Sequence, residues 1–115
     1  NGAYLATIRG FEAEACAPEL EGLKARLKEM TDKFEASMNR VKEAQNQEYQ
    51  DFVARRLMEM AADCIMGHLL IQDATKAPEL FSKSAHVYVN YVAAEVEKHN
   101  SFIQSVSPAD LVNYK

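Results

Sequence analysis

From Pro18 onward, Leu20, Leu23, Leu27, Met30, Phe34, Met38 and Val41 follow one another at steps of three and four residues. That spacing keeps them on one side of an α-helix and predicts a buried stripe along a long first helix. Pro18 brings a preset φ to the first turn, and Glu19 and Glu21 suit the positive end of the helix dipole. The opposite face carries Lys24, Arg26, Lys28, Glu29, Asp32, Lys33, Glu35 and Arg40, and is expected simply to be solvated. A stripe so near a heptad repeat predicts close packing along an antiparallel neighbour.

Residues 44–48 are polar and include Gln45, Asn46 and Gln47, so a turn is expected there although no glycine or proline enforces it. Without it, one helix would run from 20 to 73, longer than a small bundle accommodates. A second helix is predicted over 47–75. Its apolar residues Tyr49, Phe52, Val53, Leu57, Met60, Cys64, Ile65, Leu69 and Ile71 occupy more than one face, which marks it as the most buried of the set. Gly67 in its middle costs roughly 1 kcal/mol relative to alanine, and implies that a neighbouring helix crosses closely there.

The string Ala77-Pro78-Glu79-Leu80 repeats Ala17-Pro18-Glu19-Leu20, which reads as shared capping chemistry rather than duplication. Beyond it, Phe81, Ala85, Tyr88, Val92, Val96, His99, Ile103 and Val106 form the stripe of a third long helix that should end near Ser107-Pro108. Ser107, Pro108 and Asp110 can cap one further short turn. Leu5, Ile8 and Phe11 make a short amphipathic segment before Cys16. The expected fold is therefore all-α: an antiparallel bundle of three long helices with a short additional N-terminal helical segment, one domain over residues 1–115.

Composition supports this reading and narrows the partners. Four glycines and three prolines in 115 residues are too few for the regular turns of a sheet protein, while 48% hydrophobic residues suffice for one modest core. A net charge of −4 with both signs intermixed leaves no basic stripe for nucleic acid. The longest apolar run, 65–71, is interrupted by Gly67 and His68 and is too short to cross a membrane. Cys16 and Cys64 stand at no metal-ligand or redox-motif spacing, which suits reduced thiols in a cytoplasmic protein; their positions neither require nor forbid a disulfide. The opening Asn1-Gly2-Ala3 carries neither an initiator Met nor a secretory signal, as expected of a fragment of a longer protein.

The search for chemistry assigns no catalytic, cofactor-binding or metal-ligating residue. A di-iron bundle needs Glu-x-x-His on two helices, and that motif does not occur. Glu95 and His99 stand one turn apart and are expected to pair as ions, too few for a metal cage. His68, followed by Leu69-Leu70-Ile71, reads as a half-buried residue with one hydrogen bond, and His86 is no better a phosphoryl acceptor. Cys64 reads as core and Cys16 sits in no activating setting. Met58, Met60 and Met66 read as core filler rather than a pliable groove. Tyr49, Tyr88 and Tyr91 read as core-edge packing. No glycine cluster forms a nucleotide loop.

A resemblance adds what these patterns cannot. Met58-Glu59-Met60-Ala61-Ala62, Gly67-His68-Leu69-Leu70-Ile71-Gln72-Asp73-Ala74, Lys83-Ser84-Ala85-His86-Val87-Tyr88, Ala93-Ala94-Glu95-Val96-Glu97-Lys98-His99 and the closing segment 107–114 resemble the C-terminal extension of bacterial acyl-CoA dehydrogenases. The resemblance covers the last half of the chain and consists of helix-packing patterns. It implies a parent flavoenzyme that takes a proton from Cα of an acyl-CoA thioester and passes hydride from Cβ to FAD. It also implies electron delivery to an electron-transfer flavoprotein and a homo-oligomer. The family's catalytic glutamate, flavin contacts and CoA pocket match no position here, so Glu95 and Glu97 are expected in surface ion pairs. What remains is packing on the upstream catalytic core or on another subunit. The alternative is a free-standing interaction module, dimeric through the 20–41 stripe.

Overall fold

The computed structural model describes residues 2–112; Asn1 and the end of the closing segment, including Tyr114, lie outside the described residues. Four α-helices and two 3-10 turns account for most of that span. Helix α1 is Gly2–Glu12, α2 is Glu21–Ala44, α3 is Gln47–Lys76 and α4 is Pro78–Ser105; the 3-10 turns are Pro18–Leu20 and Pro108–Leu111. The three long helices run alternately up and down a body 52 × 23 × 16 Å in extent. The expected all-α bundle with a short N-terminal helix is what forms.

Most of the predicted first stripe is buried: Leu20, Leu27, Met30, Phe34, Met38 and Val41 all lie in the core. It is consumed inside the bundle against α3 and α4, so it leaves no apolar face for the dimer postulated through 20–41. Pro18 opens a separate 3-10 turn, and the α-helix proper begins at Glu21. The turn before α3 is made without glycine. Gln45 takes a left-handed conformation, φ 47°, and the Asn46 side chain accepts a hydrogen bond from the Tyr49 N–H at 2.8 Å. Asn46 is thus an N-cap, which explains how so polar a segment stops one helix and starts another.

Helix α3 is the axis of the fold, touching α1, α2, α4 and both 3-10 turns. Consecutive residues point in different directions because each advances about 100° around the helix. Gly67 faces α2, where a Cβ would stand 2.5 Å from Leu27 Cδ2. His68 faces α1 and stacks on Phe11, with ring centroids 5.8 Å apart. The close crossing expected at Gly67 is therefore present.

The C-terminal end of α4 is held by side chains from the other two long helices. Tyr49, fully buried, donates its hydroxyl proton to the Ile103 carbonyl at 2.7 Å, and Arg40 donates to the Val106 carbonyl at 3.1 Å. These satisfy carbonyls that a helix end leaves without a partner. Arg56 lies over the Phe102 ring at 4.3 Å, pinning the same end to α3. Beyond it, the Asp110 carboxylate accepts from the Ser107 N–H at 2.9 Å, closing the expected last turn.

The polar face of α2 is more than solvated. Arg9 of α1 bridges Asp32 at 2.9 Å and Glu35 at 2.7 Å while pairing with Glu12, and Lys33 pairs with Glu97 of α4. The Arg9 contacts hold α1 against α2, with Ile8 of α1 fully buried beneath them, while Lys33 ties α2 to α4.

Gly67→Ala should improve helix propensity by roughly 1 kcal/mol. It must also displace a Leu27 methyl enclosed on all sides, and overpacking of that kind costs ~1–3 kcal/mol. A net loss of about 1 kcal/mol is expected, read as a lower urea midpoint at unchanged m-value. A raised midpoint would mean that Leu27 gives way freely.

Candidate functional site

Titratable side chains gather at the seam between α3 and α4. His99 Nε2 meets Glu59 Oε2 at 3.1 Å across that seam, while Glu95 pairs with Lys98 at 3.4 Å. The Glu95–His99 pair expected one turn apart within α4 is therefore replaced by a cross-helix pair. The antiparallel packing that bonds Tyr49 to Ile103 and sets Phe52 beside Phe102 brings Glu59 of α3 within one turn of its level on α4, and there it reaches His99. Glu97 pairs at the surface with Lys33, as expected.

Asp63, one turn beyond Glu59, was not singled out by sequence patterns. Burial first, then the negative charges of Glu59 and Glu95, push its carboxyl up to about 6. Burial, with Asp63 behind it, also raises the Tyr88 phenol. The sequence signal for this cluster is a carboxylate four residues after Glu59, one turn further along α3. Its acid and base lie among packed helices, and none of them lines the apolar groove described below.

The remaining candidate nucleophiles are inert or isolated. Cys64 is fully buried and burial pushes its thiol up to about 12, so it stays protonated; Cys16 is partly exposed, and both cysteines are free. His68 is 2% exposed rather than half-buried, and its Nε2 has no hydrogen-bond partner. Burial above all lowers its pKa. His86 is exposed on α4. Among the described residues, no three His, Cys, Asp or Glu side chains converge as a metal site requires, and no helix is long and apolar enough to cross a membrane.

Apolar surface, not acid–base chemistry, distinguishes the exterior. Met60 is core, but Met58 is 64% exposed and Met66 52%, so two of the three methionines are not core filler. Leu69 is 38% exposed, and Tyr91 is 66% exposed rather than at the core edge. Tyr88 is partly buried and Tyr49 wholly so. Period alone cannot separate these cases, because α3 carries apolar residues both on its packed side and on the side facing away. A second apolar feature is an open groove of about 340 Å³ between α2 and α3, where Tyr4, Phe34, Met38, Leu57 and Met58 form the walls and Lys42 the rim.

A family model described as acyl-CoA dehydrogenase C terminal matches residues 1–111. The chain belongs to that family. The match takes in the N-terminal half, which the residue patterns alone left without a relative. A crystal structure of an acyl-CoA dehydrogenase family protein from Porphyromonas gingivalis is similar at 42% identity and a TM-score of 0.85, over 93% of this chain and 92% of that one. Among curated proteins nothing matches.

Two groups give this acyl-CoA dehydrogenase C-terminal domain opposing pH dependences. Asp63 is raised, so the folded chain keeps a proton that the unfolded chain releases. That contribution is full below the ordinary value of 3.8 and is lost as pH rises through about 6. His68 is lowered, so its contribution is present above 6.5 and is lost as pH falls through the folded value. Asp63→Asn should stabilise the chain at neutral pH by ~1 kcal/mol, a figure reduced for the group's contact with solvent. It should also leave a steeper fall in stability on acidification below 6.5, which His68→Leu should flatten. Urea midpoints across that range test both, and a pH profile that neither variant alters would contradict the assignment.

Proposed function

We propose that this chain is the C-terminal structural domain of an FAD-dependent acyl-CoA dehydrogenase. In this reading it shapes the enzyme's assembly while the upstream part of the same polypeptide performs α,β-dehydrogenation of an acyl-CoA thioester. The observation that carries the reading is the family match over residues 1–111, joined to a bundle whose cross-helix Glu59–His99 pair stands outside the apolar groove. The apolar outer side of α3 then has a purpose: contact with the catalytic core or with another subunit.

FAD itself does not fit these residues. A dinucleotide's pyrophosphate needs several backbone N–H groups or cations at a glycine-rich turn. The open groove offers Lys42 and Gln50 among apolar side chains, and no glycine lines it. Flavin, substrate proton transfer and the electron-transfer flavoprotein contact are therefore assigned to the upstream core. The free Cys16 and Cys64 agree with a reducing, cytoplasmic setting.

The deciding measurement is the visible absorption spectrum of the native polypeptide that contains this segment, before and after addition of a panel of acyl-CoA thioesters. Flavin absorbance that bleaches with one chain-length class is the expected result. A colourless native product of about this size would instead favour a free-standing interaction module.

A further inference from the structure

The outer side of α3 is self-complementary. Along its exposed arc the order is Asp51, Arg55, Met58, Ala62, Met66, Leu69, Asp73 and Lys76, every one of these residues is exposed, and Met58 stands where the arc meets the α2–α3 groove. An acid and a base come first, then an apolar centre, then an acid and a base again. A helix laid antiparallel on its own copy, about a two-fold axis level with residues 63 and 64, sets Asp51 opposite Lys76 and Arg55 opposite Asp73 of the second copy. The same register sets Met58 opposite Leu69 and Ala62 opposite Met66. Each of these pairings occurs twice by symmetry, which is the signature of an isologous contact.

We propose that two copies of this chain pair through α3 in this antiparallel register, Met58 of each seated on Leu69 of the other. The proposal rests on the reading of the domain as an assembly element and names the surface and partner through which it assembles. Charge selects the orientation. A parallel pair in register would oppose Asp51, Arg55, Asp73 and Lys76 each to its own copy, four like-charge contacts, whereas the antiparallel pair opposes unlike charges at both ends. Size supports it as well. Ala62 near the axis has no side chain beyond Cβ to hold the helices apart, so they can approach to the roughly 8–10 Å of packed helices. Arg55 already leans on Glu59 at 3.3 Å within its own helix, which holds its guanidinium on the exposed side of α3.

A contact dominated by one helix from each copy falls near the lower end of stable interfaces, about 1,000–1,200 Å² in total, so micromolar association is expected for the chain by itself. Sedimentation equilibrium of the 115-residue chain over a concentration series tests it, with circular dichroism to show that each variant remains helical. The wild type should dimerise. Met58→Glu should leave it monomeric, and Arg55→Asp or Asp73→Arg alone should weaken association at least about tenfold. The double variant Arg55→Asp with Asp73→Arg exchanges the charges and should restore most of the wild-type affinity, a rescue that only this register gives. A wild type that stays monomeric throughout, a dimer indifferent to Met58→Glu, or a double variant as weak as its parents would overturn the proposal. Flavin bleaching in the native polypeptide reads the dehydrogenase assignment separately, so the two failures are distinguishable.

Discussion

The contact of Leu27 with the bare backbone of Gly67 sets the geometry of this bundle. A Leu27 methyl occupies the space in which any other residue at 67 would place its Cβ, so the Leu27 side chain of α2 packs directly on the α3 backbone there. Fixing that contact fixes the rotation of α3 about its own axis. With Gly67 turned to α2, His68 must face the groove in which α1 lies, and Leu69 must face outward. One small residue thus decides which part of α3 receives α1 and which part is left uncovered.

Polar groups enter this bundle mostly where a partner is at hand. Thr31 donates to the Leu27 carbonyl at 2.9 Å and Ser37 donates to Asn100 Oδ1 at 2.8 Å, so two fully buried hydroxyls on α2 are satisfied locally or across to α4. Arg9 gathers three carboxylates at the α1–α2 edge. Its worth lies in the network and in orientation, since single surface pairs contribute little. His68 departs from the pattern with its unpartnered Nε2, and an enclosed imidazole of that kind is stable only while neutral. It is the place where acidification acts on the docking of α1.

Residues with a strict three-to-four repeat and a single apolar face were legible from sequence. The 20–41 stripe, the close crossing at Gly67 and the last turn at Ser107 and Asp110 follow from spacing and capping chemistry alone. Helix α3 was legible as a helix but not as a surface: Met60 and Met66 obey the same period, and their burial differs only because other helices cover one side. The His99 pairing was missed for a related reason. A residue one turn away on the same helix was the nearest partner that a linear reading could offer, while Glu59 becomes a neighbour only once the offset between α3 and α4 is known. Asp63 owes its raised pKa first to burial and then to Glu59 on its own helix, and only the smaller contribution of Glu95 depends on that offset.

The choice of side chains on the uncovered face fits a surface meant to be occupied. Met58, Ala62 and Met66 expose less rigid or smaller groups than leucine, isoleucine or phenylalanine would, and methionine adapts its shape to whatever it meets. Asp51 and Arg55 at one end, with Asp73 and Lys76 at the other, keep the stripe bounded by charge. A chain of net charge −4 can then present this face to water without general aggregation. An acid–base site would need the opposite arrangement, with titratable groups around a cavity and apolar residues behind them. Here the buried imidazole of His99 and the half-buried carboxyl of Asp63 lie in a helix seam, with the exposed Glu59 at its edge, while the apolar residues of α3 are on display. That inversion is the physical reason to look for this domain's role in what it holds together.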